Sequence, residues 1–304
     1  MDSRVPEVSI GLPVYNGERF LARAIDALLA QEFTDFELIV ADNASTDSTL
    51  EIADRYAALD PRVSVHRSAE NRGAAWNFNR TLDLARGRFF KWAAYDDLCA
   101  PGFVARCHEV LASGSDSVVL AYPRTLVIDD DDEVVGEWDD GLDLTEPTAH
   151  ERLAHLLRRP EFHAVFGLIR TDVLRQTGAI GPFVASDVAL LAELALVGTF
   201  HEVPEPLFLR RFHADTSVNA NPDYADRAAW FDPARSGQLT FAMARMTWEL
   251  LKRVWAADLP AAERLRCTVS VTRHWTIPHG REAGGEVKLA LRQVVARARR
   301  RVSS

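Results

Sequence analysis

The chain has 304 residues, of which 47% are hydrophobic and 26% are charged, and its formal net charge is −9. This composition is close to that of ordinary globular proteins and excludes collagen-like, disulfide-scaffold and wholly disordered classes. The negative charge argues against a general nucleic-acid binder, which needs a basic surface for phosphate.

The cysteines and the N-terminus indicate the compartment. The three cysteines lack the CxxC spacing of zinc ribbons, and an odd number cannot pair completely within one chain. The N-terminus shows no signal-peptide pattern, and no apolar stretch approaches the ~20 residues that span a bilayer. We therefore expect a cytoplasmic protein in a reducing compartment.

The first part of the chain alternates predicted strands with predicted helices. The strand predictions are 8–15, 36–42, 63–66 and 89–93. Apolar residues recur at helical spacing after each of the first three strands. This alternation predicts parallel βαβ units, which place ligand sites at the carboxyl ends of the strands. Asp42 and the pair Asp96 and Asp97 lie at two such ends.

Beyond residue 113 the pattern changes, and we expect an α+β elaboration of the same domain. The predicted elements are strands at 117–122, within 124–137 and at 207–212, and helices at 186–197 and 239–255. From Asp129 to Asp143 there are nine acidic residues and no lysine or arginine. We interpret this run as a solvated turn, because metal sites need ligands that are held apart in space.

We divide the chain into a catalytic domain at 1–215 and a mainly helical C-terminal extension at 216–304. The extension contains the amphipathic helix and a basic segment from Arg281 onward with a local charge of +5. A peripheral contact with an anionic membrane and a homodimer contact both stay open, beside the interpretation that this helix covers the core.

Two adjacent aspartates, Asp96 and Asp97, follow an apolar strand. Both carboxylates cannot be buried there without a cation or hydrogen-bond donors. Mg²⁺ and Mn²⁺ bind few protein carboxylates and complete their coordination with water and phosphate oxygens. On these residues alone, the pair is equally suited to cap the helix near Pro101. Asp42 likewise is either a ligand-binding group or a turn former.

The order and spacing of several motifs resemble those of the family 2 glycosyltransferases. The resemblance covers residues 8–213 and rests on VSIGLPVYNGERF, IVADNASTDST and NRGAAWNFNRTLDLARGRFFKWAAYDDL. It implies the α/β GT-A fold, a Rossmann-like mixed sheet flanked by helices. It also implies an inverting glycosyltransferase that uses a nucleoside diphosphate sugar.

The resemblance implies roles for residues on the donor side of the site. Pro13 and Tyr15 match the motif that lines the nucleotide base, and Tyr15 is placed to stack on it. Asp42 matches the acid that accepts the base N–H, although the family more often has two acids where this chain has Asp42 and Asn43. Arg72 matches a basic position that reaches the nucleotide.

The resemblance also implies a Mg²⁺ or Mn²⁺ cofactor. Asp96 and Asp97 match the family's DxD-like motif, with Asp97 as the metal ligand and Asp96 as the partner of the ribose or of metal-bound water. His213 matches an Arg-x-His pattern and is a second candidate ligand. Arg210 and Arg211 are alternative partners for the diphosphate.

On the acceptor side, Asp187 matches the family's catalytic base at the start of a helix, where an aspartate ionises more easily. This chain has Ser186 where the family usually has glutamate. The implied partners are a UDP-linked sugar donor and a hydroxyl acceptor, either a glycan or a lipid-linked sugar, in the synthesis of cell-surface polysaccharide or glycolipid.

Two other functions stay open. A non-catalytic nucleotide-sugar-binding protein could keep Tyr15 and Asp42 and lose the base, which would be consistent with Ser186. A sugar-1-phosphate nucleotidyltransferase uses a related sheet and a metal. That class commonly has a glycine-rich, basic phosphate loop after its first strand, where this chain has Pro-Val-Tyr-Asn-Gly.

Overall fold

The structure is a computed structural model that describes residues 4–159, 163–213, 224–235, 241–286 and 288. Within these residues the strands form one mixed sheet in the order β3-β2-β1-β4-β8-β6-β9-β5, and β7 pairs with β6 outside this path. The strands are β1 (Val8–Val14), β2 (Phe36–Asp42), β3 (Val63–Arg67), β4 (Phe89–Trp92), β5 (Leu98–Cys99), β6 (Val118–Ile128), β7 (Val134–Trp138), β8 (Leu168–Arg170) and β9 (Thr199–Arg211).

Helices cover both faces of this sheet. In the same ranges the α-helices are α1 (Leu21–Leu29), α2 (Thr49–Leu59), α3 (Ala74–Leu84), α4 (Phe103–Ser113), α5 (Ala149–Leu156), α6 (Thr171–Leu174), α7 (Ser186–Val197), α8 (Tyr224–Phe231), α9 (Ala242–Ala256) and α10 (Ala261–Val271). None of the helices described combines the length and apolar character that a membrane crossing requires.

Strands β1 to β4 are parallel and are joined by α1, α2 and α3. β1 and β2 are buried along their whole length, as strands covered on both faces must be. Val14 pairs with Asp42, so the carboxyl ends of β1 and β2 lie side by side. The predicted βαβ units are confirmed, and they bring the polar residues after β1, β2 and β4 to one edge of the sheet.

Two strand predictions are too short. The strand predicted at 117–122 continues through Pro123 to Ile128, and the strand predicted at 207–212 is the end of β9, which begins at Thr199. Proline lacks the N–H of a regular ladder and therefore suggests an interruption. Here the pairing of β6 with β9 shifts register between Pro123 and Arg124, and this irregularity lets the strand continue.

The interpretation of the acidic run 129–143 as a solvated turn is correct for most of its members and wrong for Asp140. Asp140 is only 4% exposed, and its carboxylate accepts the backbone N–H of His163 over 2.8 Å. The turn between β6 and β7 carries ion pairs to arginines of distant elements. Because these acids have partners, mutual repulsion does not force them all into solvent.

Two apolar clusters lie on opposite faces of the sheet. One packs alternate residues of β1 and β2 against α1, α2 and α4. The other packs the opposite face against α3, α5 and α7, and it continues into α9 and α10 through Met246, Leu250, Val254, Cys267 and Val271. The apolar side of α9 is thus buried within the chain, which agrees with the interpretation that this helix covers the core. The division of the chain at residue 215 stays a prediction.

Candidate active site

A cavity of about 350 Å³ opens at the carboxyl ends of the parallel strands. Its lining comes from the end of β1, the loop after β2, the first turns of α3, the loop after β4, the end of β9 and the segment 224–235. The lining residues are Pro13, Val14, Tyr15, Asn43, Asn71, Ala74, Asn77, Phe78, Ala94, Tyr95, Asp96, Asp97, Phe166, Arg210, Arg211, Ala229, Trp230 and Pro233. This is the position at which parallel α/β sheets bind ligands.

An aromatic residue and an amide network form one end of this cavity. Tyr15 follows β1 directly and is 41% exposed, so its ring face is available to a ligand. Asn43 follows β2, and its side chain bonds to Asn71 Oδ1 over 3.0 Å and to the carbonyl of Gly73 over 3.2 Å. Asn77 donates from α3 to the carbonyl of Ala41 over 2.7 Å. These bonds tie the loops after β2 and β3, the end of β2 and the start of α3 to one another.

A pair of carboxylates lies where β4 ends. Asp97 is 9% exposed, and its Oδ1 accepts the backbone N–H of Arg211 over 2.8 Å. Burial, together with the neighbouring charge of Asp96, raises the pKa of Asp97 to about 7. A carboxylate pair in this state is stabilised by any cation that binds beside it.

His213 lies next to this pair rather than in the lining of the cavity. Its Nε2 is 3.0 Å from Asp96 Oδ2, and its ring packs 5.0 Å from the ring of Phe20 between centroids. The side chain is almost fully buried. His213 therefore orients Asp96 directly, and the same ring nitrogen is a potential metal donor.

The donor set fits a divalent cation that binds together with a phosphate ligand. Within the described residues, no group of three or more His, Cys, Asp or Glu side chains is arranged to hold a metal. The two adjacent carboxylates instead supply the one or two oxygens that Mg²⁺ or Mn²⁺ takes from a protein when phosphate and water complete its shell. Asp96 and Asp97 both face the cavity in which such a ligand would lie.

The two arginines at the end of β9 have different roles. The Arg211 side chain is fully buried, and its Nε donates to the carbonyl of Asp96 over 2.8 Å. Arg210 lines the cavity, and its positive charge lowers the pKa values of both Asp97 and Asp187 against the larger effect of burial. Arg210 is therefore the better placed of the two to contact an anionic ligand.

Asp187 lies in the first turn of α7 and is partly buried. Burial raises its pKa, while backbone N–H groups at the start of α7 and the charge of Arg210 oppose the rise. A carboxylate with a raised pKa is a stronger base than an ordinary aspartate. Ser186 beside it is buried, and its hydroxyl has no hydrogen-bond partner in the described part of the chain.

Two alanines beside these groups adopt left-handed backbone conformations. Ala44 follows Asn43 with φ +63°, and Ala185 precedes α7 with φ +62°. Such a conformation costs about 1–2 kcal/mol in a residue with a Cβ. The surrounding structure therefore holds both turns against a local preference, as is common at functional sites.

The structure thus brings Pro13, Tyr15, Asp96 and Asp97 into one cavity. The other sequence-predicted site residues lie outside its lining. Asp42 is buried and accepts the N–H of Ser45, and the Arg72 guanidinium stacks 4.3 Å from the ring centroid of Trp76. His213 contacts the lining residue Asp96, and Asp187 is near enough to Arg210 for the charge of that arginine to lower its pKa.

Several lining residues were not predicted from the sequence. Asn77 and Phe78 belong to a quoted motif but had been assigned only to a helix. Tyr95 directly precedes the aspartate pair. Trp230 lies on α8, outside every motif that the sequence analysis quotes and more than a hundred residues after the aspartate pair, and a lone tryptophan in a polar region gives no signal of its own.

Comparison with known proteins identifies the class. Residues 9–168, more than half of the chain, match the family model of glycosyl transferase family 2. The chain belongs to this family, as its motifs predicted.

Individual relatives match shorter parts of the chain. EpsE of Bacillus subtilis, named as a glycosyltransferase, is 39% identical over 97 residues, which are 32% of this chain and 35% of EpsE. Chondroitin synthase of Escherichia coli is 36% identical over 104 residues, which are 34% of this chain and 15% of that protein. The chain therefore spans about a third or less of these relatives. An uncharacterized glycosyltransferase of Haemophilus influenzae is 24% identical over 217 residues and matches 69% of this chain and 67% of its own length.

Solved structures share the fold. Residues 1–349 of S. aureus TarS superpose with a TM-score of 0.65 at 17% identity, covering 90% of this chain and 73% of that one. The mannosyltransferase PcManGT of Pyrobaculum calidifontis, solved with GDP-Man and Mn²⁺, has a TM-score of 0.54 at 18% identity and covers 96% of this chain and 87% of its own. The fold is therefore the GT-A fold.

Proposed function

We propose that this protein transfers a sugar from a nucleoside diphosphate sugar to a hydroxyl acceptor, with inversion at the anomeric carbon. The observation that carries the proposal is the composition of the cavity. Tyr15 supplies an aromatic face after β1. Asp96 and Asp97 supply two carboxylates after β4, and Arg210 supplies a positive charge at the end of β9. An aromatic face suits a nucleotide base, a positive charge suits a diphosphate, and carboxylates suit a metal ion.

On the donor side, Tyr15 stacks on the nucleotide base and Arg210 pairs with the diphosphate. The donor we propose is UDP-linked, because TarS has been solved with UDP and with UDP-GlcNAc. PcManGT has been solved with GDP-Man, so a guanosine donor is the comparison to make in any test. Asn43, with its amide already bonded to protein, shapes this end of the cavity.

For the metal, we propose Mg²⁺ or Mn²⁺ held by Asp97, with Asp96 bonded to the ribose or to metal-bound water and His213 orienting Asp96. Bound there, the cation would neutralise negative charge on the leaving diphosphate. Arg210, near the end of β9, adds a fixed positive charge that acts on the same diphosphate.

On the acceptor side, Asp187 takes the proton of the acceptor hydroxyl while the oxygen forms the new bond to the anomeric carbon. The bond from that carbon to the diphosphate breaks on the opposite face, so the configuration inverts and no sugar–enzyme bond forms. The raised pKa of Asp187 suits this role, since a base is most effective when its pKa approaches the working pH.

We also propose that the acceptor is a glycan or a lipid-linked sugar and that the enzyme contacts an anionic membrane. Trp248 and Trp255 lie seven residues apart on the outer face of α9 and are 64% and 51% exposed, with the exposed Lys252 between them. Tryptophan and basic residues together favour a membrane interface. A homodimer through the same face is the competing proposal.

The test of the activity is a panel of UDP- and GDP-linked sugars with and without Mn²⁺. The proposal predicts metal-dependent thermal stabilisation by one nucleotide class and slow release of the free nucleoside diphosphate from its sugar. If a nucleotide sugar stabilises the protein but no nucleoside diphosphate is released from any donor, even with added glycan acceptors, the chain is better described as a non-catalytic nucleotide-sugar-binding protein.

A further inference from the structure

We propose that the acidic turn, residues 129–132 between β6 and β7, is a positioning element that holds the Asp96–Asp97 pair in place through Arg211. The proposal rests on the proposed function of this pair in binding a metal–nucleotide. It gives a role to the residues that break the usual rule against consecutive like charges.

Arg211 contacts both members of the pair. Its backbone N–H donates to Asp97 Oδ1 over 2.8 Å, and its Nε donates to the carbonyl oxygen of Asp96 over 2.8 Å. One bond fixes a carboxylate and the other fixes the backbone from which the second carboxylate extends. The position of Arg211 therefore sets the position of both carboxylates.

The rest of the Arg211 guanidinium is held by the acidic turn. One terminal nitrogen donates to the carbonyl of Asp129, and the other donates to Oδ1 of Asp132. The Arg211 side chain has no solvent exposure, so these bonds replace water completely. A buried guanidinium that loses its carboxylate must move or draw other partners toward it.

The turn is itself anchored to α1 and the residues before it. Arg19 pairs with Asp130 over 2.5 Å, and Arg23 donates to the carbonyl of Asp130 over 3.1 Å and to Oδ2 of Asp132 over 3.2 Å. Asp132 thus joins Arg23 and Arg211 with its two oxygens. The contacts form one chain from α1, through the turn, to the aspartate pair.

An aromatic ring completes the arrangement. The guanidinium carbons of Arg19 and Arg211 lie 4.6 and 4.5 Å from the centroid of Phe20, and His213, the partner of Asp96, packs 5.0 Å from the same ring. Both guanidinium groups therefore make cation–π contacts with the same ring. Phe20 therefore places Arg211 and His213 together beside the pair.

Asp131, in the same turn, provides a matched control for a substitution of Asp132. Asp131 lies between the two anchoring acids, and its carboxylate makes no hydrogen bond or ion pair within the described residues. Asp132→Asn and Asp131→Asn remove the same charge from the same turn. Asparagine also tolerates the left-handed backbone of residue 132, which has φ +69°. The two variants differ only in the contact to Arg211 and Arg23.

The experiment measures binding of the nucleotide that the wild type prefers, UDP or GDP, by calorimetry with Mn²⁺ and with chelator, and then kcat and KM. We expect Asp132→Asn to weaken binding about tenfold with Mn²⁺, the equivalent of one charge-assisted hydrogen bond, and to lower kcat. Binding in chelator, which depends on the Tyr15 end of the cavity, should change less than twofold. Asp131→Asn should match the wild type in both binding measurements, in kcat and in KM.

Equal binding by Asp132→Asn and wild type in Mn²⁺ would overturn the positioning role, and so would equal losses in the two variants. A loss that is the same in Mn²⁺ and chelator would also overturn it, because it would indicate general loosening of the fold. If Asp132→Asn does not fold, Arg23→Gln tests the same chain of contacts from an exposed side chain, with a smaller, metal-dependent loss expected. A wild type that binds neither nucleotide contradicts the proposed function instead.

Discussion

The side-chain amide of Asn43 donates to Oδ1 of Asn71 over 3.0 Å and so joins the loop after β2 to the loop after β3. The same amide donates to the carbonyl of Gly73, and the Asn43 oxygen accepts the N–H of Arg72 over 3.0 Å. Both ends of this side chain are therefore used by the fold. A second acid at this position, as the family more often has, would lack the two donors.

We predict that Asn43→Asp lowers the free energy of unfolding by about 1–3 kcal/mol, because a carboxylate oxygen would face two oxygen acceptors without a proton between them. Asp42→Asn should cost less than 1 kcal/mol, since an amide oxygen still accepts the Ser45 N–H. Urea denaturation of both variants measures the difference. Equal losses would mean that the amide network does not hold these loops.

For the catalytic base, we predict that Asp187→Asn lowers kcat by ~10²-fold or more and leaves nucleotide affinity unchanged, because the base acts after the donor is bound. In the wild type, the acidic limb of the kcat–pH profile should lie above the usual aspartate range, since burial raises the pKa of this group and the ionised form is the active one. This limb should vanish in the variant.

The neighbouring residue supplies the control for this test. The Ser186 hydroxyl is buried and has no partner in the described structure, so Ser186→Ala should keep both kcat and affinity within about twofold. Weakened nucleotide binding in Asp187→Asn, with little loss of rate, would move Asp187 to the donor side. A rate loss in Ser186→Ala as large as in Asp187→Asn would contradict the assignment of the base.

A third prediction concerns the wall that contains Trp230. A Cβ added at Gly73, where φ is +85°, would lie 2.5 Å from the carbonyl oxygen of Phe231 and 2.7 Å from Pro233 Cδ. Gly73→Ala should therefore push the segment 224–235 away from the cavity and weaken donor binding about fivefold to tenfold. Trp230→Ala should weaken it by a similar factor, because it removes aromatic surface from the same wall.

Gly141 is the matched control, with φ +58° and only the Asp139 carboxylate 3.9 Å from an added Cβ. Gly141→Ala should suffer the same backbone strain, about 1–2 kcal/mol of stability, and keep donor affinity. Calorimetry with the nucleotide sugar compares the three variants. A similar affinity in Gly73→Ala and wild type would show that the segment does not depend on close packing at this glycine.

The parallel half of the fold could be predicted because its signals are local. Largely apolar runs such as 38–41 indicate strands covered on both faces, and the polar turns after them mark the site edge. The helix 186–197 was predicted with the bounds that the structure shows. Asp96 and Asp97 could be singled out because two carboxylates after a buried strand require an explanation.

The remaining features depend on contacts between distant parts of the chain. Arg211 and Asp132 are 79 residues apart, and neither side chain shows its partner in the sequence. The acidic run was assigned to a solvated turn because adjacent acids are poorly placed to hold a metal, and the sequence does not show that Arg19, Arg23 and Arg211 pair with it. Trp230 reaches the cavity only because α8 packs against the start of α3.

A fourth prediction tests the membrane contact. The double variant Trp248→Ala/Trp255→Ala should reduce co-sedimentation with anionic liposomes at low salt at least tenfold, because it removes the interfacial burial of both tryptophans. The basic side chains, which contribute roughly 1 kcal/mol each, are unchanged and should leave a weak residual binding. Val134→Ala/Val135→Ala, which removes exposed apolar side chains from β7, is the control. Negligible pelleting of the wild type would leave a dimer contact as the use of this face.

The most direct test of the central claim is turnover of the preferred nucleotide sugar by wild type and Asp97→Asn, with the release of nucleoside diphosphate followed against Mn²⁺ concentration. The account predicts that wild-type turnover rises with Mn²⁺ and stops in chelator. It predicts that Asp97→Asn loses nearly all turnover at every concentration while its melting temperature stays at or above the wild-type value, since a buried carboxylate with a raised pKa has been removed. Wild-type turnover by Asp97→Asn in chelator would contradict the account.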